Sequence, residues 1–113
     1  MAAPASQDIV ITRGDTLTVI VVMTTNGTTP IDITGRTYTA MVREDYDSSS
    51  ASASMTCVVT SGVNGQVTLS IDAATMANLQ PYNYVWDLQE NASGVVSTVL
   101  SGRFLVLPDV TRS

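Results

Sequence analysis

Apolar and polar residues alternate along much of this chain. In residues 37–43, 66–71 and 83–90 every second position is apolar, as far as Leu88 in the last range, and the positions between them are mostly polar. A period of two places successive side chains on opposite faces of a β-strand. The pattern therefore predicts strands over these three ranges, each with one face toward a core.

Composition and turn signals predict further strands. The chain is rich in Thr, Val, Ser and Ile, a composition that favours strands. Asn26-Gly27 predicts a tight turn, because both residues tolerate positive φ. In chain order we predict strands over residues 8–12, 16–24, 37–43, 54–60, 66–71, 83–90 and 95–107. The side chains predicted to face the core include Tyr38, Ala40, Val42, Val67, Leu69, Ile71, Tyr84, Trp86 and Leu88.

Three segments depart from the strand pattern. Residues 72–79 favour a short helix, with Asp72 as the N-cap and Pro81 beyond its end. Residues 45–53 include a serine-rich run without a core-sized side chain, which predicts a mobile hairpin loop. Gly102 lies within the last strand and predicts a bend or bulge there.

The predicted elements amount to an all-β fold. About seven strands with one short connecting helix are typical of an antiparallel immunoglobulin-like β-sandwich, although the Cys…Trp…Cys signature of antibody domains is absent. Residues 1–7 are rich in Ala, Pro and Ser and are predicted to form a flexible N-terminal arm. Residues 8–113 are predicted to be the sandwich itself, a size that suits one domain.

Charge and hydropathy argue against nucleic acid and membranes as partners. The net charge is −5, and the five basic residues are scattered arginines. Nucleic-acid binding usually needs a basic patch, and an anionic membrane surface is disfavoured for the same reason. No apolar run reaches the length of about 18 residues that a membrane span needs, and the first residues lack the basic start of a signal peptide.

The chain offers little for catalysis. It contains no histidine and no lysine, which excludes a His-based triad and a P-loop. The single cysteine, Cys57, is expected to be a buried small hydrophobe, and its lack of a disulfide partner suits folding in a reducing cytoplasm. We therefore expect no enzymatic activity, no cofactor and no metal. A structural cation at the acidic residues 44–47 stays open as an alternative to a solvated loop.

Four residues are candidates for contacts with a partner. Ile20 and Val22 lie on one face of the second predicted strand, whose other face is apolar as well. They form either a partner surface or the covered face of a central strand, and both alternatives stay open. Tyr46 lies in the acidic loop, and Tyr82 is expected to lie off the core face and to be exposed. The low aromatic content of 5% also favours stabilisation by an oligomer or a partner.

The succession of motifs along the chain is more specific than any one of them. In chain order they are Ile11-Thr12-Arg13-Gly14-Asp15-Thr16, Pro30-Ile31-Asp32-Ile33-Thr34-Gly35, Gly65-Gln66-Val67-Thr68-Leu69-Ser70-Ile71, Tyr84-Val85-Trp86-Asp87-Leu88 and Gly102-Arg103-Phe104-Leu105-Val106. Over residues 8–111 this order resembles a family of small proteins found throughout tailed-phage genomes. It is also similar to the N-terminal domain of phage upper baseplate proteins.

The resemblance implies an immunoglobulin-like sandwich and a structural role in a bacteriophage virion. Such a chain would be an adaptor or decoration subunit of the tail, baseplate, fibre attachment or capsid. Its partners would be other virion proteins and further copies of itself, and it would be located in the virion after assembly in the host cytoplasm. The alternative is a module of a phage adhesion device that binds a host-surface glycan through Tyr46, Tyr82 and the acidic loop.

Overall fold

Eight strands and one short helix make up the part of the chain that the computed structural model describes, residues 5–24 and 29–110. The strands are β1 (Ala5–Ser6), β2 (Ile9–Thr12), β3 (Leu17–Val22), β4 (Thr37–Arg43), β5 (Ala53–Ser61), β6 (Gln66–Ile71), β7 (Tyr82–Ala92) and β8 (Val95–Leu107). The helix α1 (Ala73–Ala77) lies between β6 and β7. The all-β class predicted from the alternation is confirmed.

The strands form two layers that are joined through β5. In one layer β4, β7 and β8 are adjacent and antiparallel, and β1 and β2 pair in parallel with β8. In the other layer β6 lies between β3 and β5. The first residues of β5 pair with β4 and the later ones with β6, so this strand passes from one layer to the other.

This strand order is that of an immunoglobulin-like sandwich, with one difference at the N-terminus. In the constant-type arrangement the first strand lies in the sheet that also contains the second strand. Here the first strand is broken into β1 and β2, and both parts pair with the last strand, β8. Counted with β1 and β2 as one strand, the prediction of about seven strands is confirmed.

The core lies between the two layers. Val67, Leu69 and Ile71 of β6 are at most 3% exposed, and they share one buried cluster with Trp86 and Leu88 of the other layer. All of the side chains predicted to face the core are buried. The cluster also contains Ile9, Leu17, Ile33, Ala53, Met55, Met76, Leu79, Phe104 and Val106.

The predicted strand bounds are close to the observed ones. The ranges 37–43, 66–71 and 95–107 coincide with β4, β6 and β8. The strand predicted over 83–90 is longer in the structure, because β7 pairs along its length with β8 and over much of it with β4. The turn predicted at Asn26-Gly27 lies outside the described residues.

The predicted helix is confirmed as α1, between two anchored ends. The Asp72 carboxylate accepts a hydrogen bond from the Thr75 amide at 2.8 Å, which satisfies one amide of the first turn. At the other end, Nε of Arg13 donates to the Ala77 carbonyl at 3.0 Å. The buried side chains of Met76 and Leu79 attach this segment to the core.

Part of the predicted arm belongs to the sandwich. Ala5 and Ser6 pair with Leu100 and Ser101, and the Gln7 amide donates to the Ser101 carbonyl at 2.9 Å. The structure therefore starts the sandwich before Asp8, the boundary predicted from composition. Residues 1–4, the rest of the predicted arm, lie outside the described residues.

Gly102 does not mark a bulge, contrary to the prediction. Its pairing with Trp86 is regular, and the register of β7 and β8 shifts instead between Leu88 and Gln89. A Cβ atom at Gly102 would collide with the Gln7 carbonyl. The glycine is needed because another backbone segment lies directly on the strand.

Candidate interaction surfaces

Ile20 and Val22 lie on the outer face of the β3–β6–β5 layer. Their side chains are 58% and 49% exposed, whereas Leu17 on the opposite face of β3 is buried. Ile20 pairs with Thr68 and Thr68 pairs with Val58, which is 51% exposed, so these three residues form one row across the layer. Within the described residues, neither the helix nor a loop covers this strand face, so the covered-strand alternative is wrong.

Within the described strands, the outer face of this layer carries no charged side chain. It is formed by alternate residues of the three strands, and all of them are exposed or half-buried. The nine positions are Thr18, Ile20, Val22, Thr56, Val58, Thr60, Gln66, Thr68 and Ser70. The chain has ten acidic residues, but none of them belongs to this sheet face. The exposed apolar side chains of the face therefore have no charged neighbour among its nine positions. We call these nine positions the neutral face.

The strand β3 is an edge strand, with β6 as its neighbour in the described part of the chain. The Met23 amide donates to the Gly65 carbonyl at 2.8 Å, and the same register continues through β3 and β6. Hydrogen-bonded pairs alternate along an antiparallel ladder. The backbone amides and carbonyls of Thr18, Ile20 and Val22 therefore point away from β6, toward the open side of the strand.

Tyr46 lies over the outer face of the other layer. Its side chain is 73% exposed, and it lines a shallow groove of about 110 Å³. The groove is also lined by Met41, Arg43, Val85, Trp86 and Asp87. Burial raises the pKa of the Asp87 carboxyl, and the positive charge of Arg43 opposes that rise. The groove thus combines an exposed aromatic ring with a cation and a carboxylate.

Tyr82 is exposed as predicted, but the prediction that it lies off the core-facing row of its strand is wrong. It pairs with Val106 in the same alternation that turns Tyr84 and Trp86 inward, so it belongs to the core-facing row of β7. It lies at the end of that row, where its ring and the Tyr84 ring form an edge-type contact at a centroid distance of 5.1 Å. The Tyr82 side chain remains 52% exposed. Tyr46 and Tyr82 are therefore on different faces and form no common aromatic platform.

The four candidate residues thus fall into three places. Ile20 and Val22 are together on the neutral face, Tyr46 lies over the other layer, and Tyr82 lies at the end of β7. Val58, which is not among the residues predicted from the sequence, extends the apolar row beyond β3. The alternation in residues 54–60 was the available signal, because it places Val58 opposite to the core-facing Met55 and Cys57 side. Contact of these residues with a partner stays a prediction.

The ionic groups near the strand ends serve the fold. Arg36 contacts Glu90 at 3.3 Å, and the Tyr38 hydroxyl donates to the same carboxylate at 2.6 Å. Burial and this hydrogen bond raise the pKa of the Tyr38 hydroxyl. Burial also raises the pKa of the Cys57 thiol, which is half-buried rather than fully enclosed as expected.

The acidic loop is organised by its own hydrogen bonds. The Asp45 carboxylate accepts from the Asp47 amide at 2.9 Å, and the Arg43 guanidinium donates to the Ser48 carbonyl at 2.9 Å. Among residues 5–24 and 29–110, no three His, Cys, Asp or Glu side chains are grouped so as to hold a metal ion. In the same part of the chain, no helix has the length and hydropathy to span a bilayer.

Comparison with known proteins yields a structural similarity at low sequence identity. The extracellular fragment of novel immune-type receptor 11 from Ictalurus punctatus, including its stalk region, aligns with a TM-score of 0.43 and 13% sequence identity. The alignment covers 100% of this chain and 92% of that chain. No protein-family model matches the chain. No curated protein matches its sequence.

Proposed function

We propose that this chain is a non-enzymatic structural component of a bacteriophage virion, an adaptor or decoration subunit that assembles through the neutral face. The observation that carries the assembly role is the row of Ile20, Thr68 and Val58 on an outer sheet face without charge. The phage assignment is supported by the order of sequence motifs, which resembles small tailed-phage proteins. The tail, baseplate, fibre attachment and capsid are all candidate locations.

Burial of the neutral face gives the physical reason for assembly. Removing apolar surface from water contributes about 25 cal/mol per Å², and the exposed Ile20, Val22 and Val58 provide such surface. The Thr and Ser hydroxyls around them can form hydrogen bonds with a partner. Burial of this face therefore need not leave a charged group without a partner. Contacts of this kind suit a protein that occupies repeated equivalent positions in a particle.

Incorporation into particles tests the proposal. Ile20 and Val22 are replaced together by serine, and purified virions are quantified for the protein by mass spectrometry. The matched control replaces Val95 and Val96, which are 63% and 53% exposed on the other layer, by serine. We expect the first pair to reduce incorporation and the second pair to leave it unchanged. Absence of the wild-type protein from purified virions would refute the virion role.

A second candidate function is binding to a host surface through the groove beside Tyr46. The observation that favours it is the highly exposed Tyr46 ring next to Arg43 and Asp87, because aromatic rings and polar groups together suit glycan recognition. Under this function the isolated domain binds host cells saturably, and Tyr46→Ala removes the binding. Tyr82→Ala serves as the control, because Tyr82 lies outside the groove.

A further inference from the structure

We infer that β3 pairs in antiparallel fashion with β3 of a second copy of this chain, so that two β3–β6–β5 layers form one continuous sheet. The inference rests on the proposed assembly role and names the partner of the open edge of β3. It starts from the open side of β3, where the described residues place no neighbouring strand. An unpaired strand edge is a template for another β-strand, because it offers a row of backbone donors and acceptors.

The open edge results from the N-terminal strand. In a constant-type immunoglobulin sheet the first strand lies in the layer of β3. In this chain β1 and β2 pair with β8 instead and protect the edge of the other layer. The edge of β3 is left without that protection, and its residues 17–22 include no lysine, proline or charged side chain that would discourage pairing.

The backbone geometry defines the register of the pair. Thr18, Ile20 and Val22 direct their amides and carbonyls to the open side, and alternate residues of this kind form the hydrogen-bonded pairs of an antiparallel ladder. A two-fold axis at the centre of β3 places Ile20 opposite Ile20 of the second copy. The same axis places Thr18 opposite Val22 of the second copy, twice in the dimer. The contact is then isologous and closed.

The absence of charged side chains on the neutral face favours a second copy over a basic partner, because the face offers a basic partner no carboxylate to bind. The chain carries a net charge of −5, so most of its surface repels another copy. The neutral face contains no carboxylate, and like charges would not lie directly opposite each other across the new strand pair. The pair also brings two Ile20–Thr68–Val58 rows side by side, which extends the apolar surface across the joined sheet.

A charge-swap experiment tests this register on the full chain. The mass of the wild type is measured by sedimentation equilibrium across a concentration series, and dimers are expected. Ile20→Lys and Ile20→Glu, each alone, place like charges opposite each other and should weaken dimerisation by at least about tenfold. Mixed in equal amounts, the two variants should recover a 1:1 heterodimer, because position 20 faces position 20.

A second variant covers the case in which a charge at the central position prevents folding. The double variant Thr18→Lys with Val22→Glu should remain dimeric, because each lysine then faces a glutamate of the second copy. Thr18→Lys with Val22→Lys is its control and should be monomeric. Circular dichroism checks that both variants keep the strand signal. A monomeric Lys/Glu variant with an intact fold would overturn the proposed register.

Val58→Lys distinguishes edge pairing from stacking of two neutral faces. Val58 is exposed like Ile20 but lies on β5, away from the open edge. Edge pairing predicts that Val58→Lys remains dimeric. If Val58→Lys is monomeric while Ile20→Lys remains dimeric, the two copies associate by stacking of their neutral faces. That result would overturn the inference.

The outcomes separate this inference from the proposed function. Suppose that the wild type is monomeric and that the variant with serine at positions 20 and 22 is lost from particles. This result would overturn self-pairing and would support another virion protein as the partner. A wild-type dimer with the charge-swap behaviour, in a protein that is absent from purified virions, supports self-pairing and refutes the virion role.

Discussion

The indole Nε1 of Trp86 donates a hydrogen bond to the backbone carbonyl of Gln7 at 2.8 Å. The two residues are 79 positions apart in the chain, and Gly102 lies opposite Trp86 in the sheet. Because Gly102 has no Cβ, the Gln7 backbone can lie directly on β8, within reach of the indole. This arrangement holds the N-terminal strand against β8, and in the described part of the chain no strand pairs with the other side of β3.

Gly102→Ala should destabilise the protein. The added Cβ collides with the Gln7 carbonyl, which is backbone and cannot rotate away. Overpacking of this kind costs about 1–3 kcal/mol, measured as the free energy of unfolding in a urea titration. Ser101→Ala is the control at the neighbouring position and should cost much less. Equal stabilities of the wild type and Gly102→Ala would contradict the close packing of Gln7.

Trp86 should stabilise the folded protein through both the packing of its side chain and its hydrogen bond. Trp86→Ala removes a side chain that is 2% exposed and should cost about 3–5 kcal/mol of unfolding free energy. Trp86→Phe keeps an aromatic ring but loses the donor to Gln7, and the lost hydrogen bond adds about 0.5–1.5 kcal/mol to any packing loss. Chemical denaturation measures both values. Tyr46→Ala, at an exposed position, should change stability little, and a comparable loss there would contradict this assignment.

The middle of the β4–β5 connection should tolerate replacement. Residues 49–51 can become Gly-Ser-Gly with a change below about 1 kcal/mol, because a loop of unchanged length closes at nearly the same entropic cost. The replacement excludes Ser52, since its amide donates to the Val42 carbonyl at 2.7 Å. Ser52→Pro removes that donor and should lower the melting temperature. If the two variants melt alike, the Ser52 hydrogen bond does not support the hairpin.

Asp72 should make stability depend on pH in the acidic range. The hydrogen bonds from the Thr75 side chain and amide lower the pKa of Asp72 below its ordinary value of 3.8. A carboxyl with a lower pKa in the folded state stabilises the protein above its unfolded pKa, and this contribution is lost as the pH falls through the folded pKa. Between neutral pH and about pH 5 the contribution should be constant.

Asp72→Asn isolates that dependence. Asparagine caps the helix comparably but does not titrate, so the variant should lack the part of the acid destabilisation that Asp72 causes. As the pH is lowered from 7 to 2 and the wild-type carboxyl is protonated, the melting temperature of the wild type should fall more than that of Asp72→Asn. If the two curves of melting temperature run parallel over the whole pH range, the interaction of Asp72 with Thr75 does not contribute to the pH dependence of stability.

The strands and the helix of this fold follow from local sequence patterns. The alternation of Val67, Leu69 and Ile71 specifies a strand with one buried face, because the side-chain period of a strand is two. The sequence around Asp72 specifies a helix start through a local hydrogen bond. Both depend on residues close together in the chain, and so both were predicted with nearly the observed bounds.

Local sequence patterns do not show which surfaces stay open in the folded protein. The apolar residues on both faces of β3 are equally compatible with a central strand and with an edge strand, because alternation does not show what lies beyond each face. No described segment packs on the outer face that Ile20 and Val22 share. Pairing of residues 5–12 with β8 rather than with β3 made β3 an edge strand. It depends on the room that Gly102 leaves for Gln7 and on the hydrogen bond of Trp86. Contacts across such long chain separations leave no local pattern in the sequence, which is why they became visible only in the folded protein.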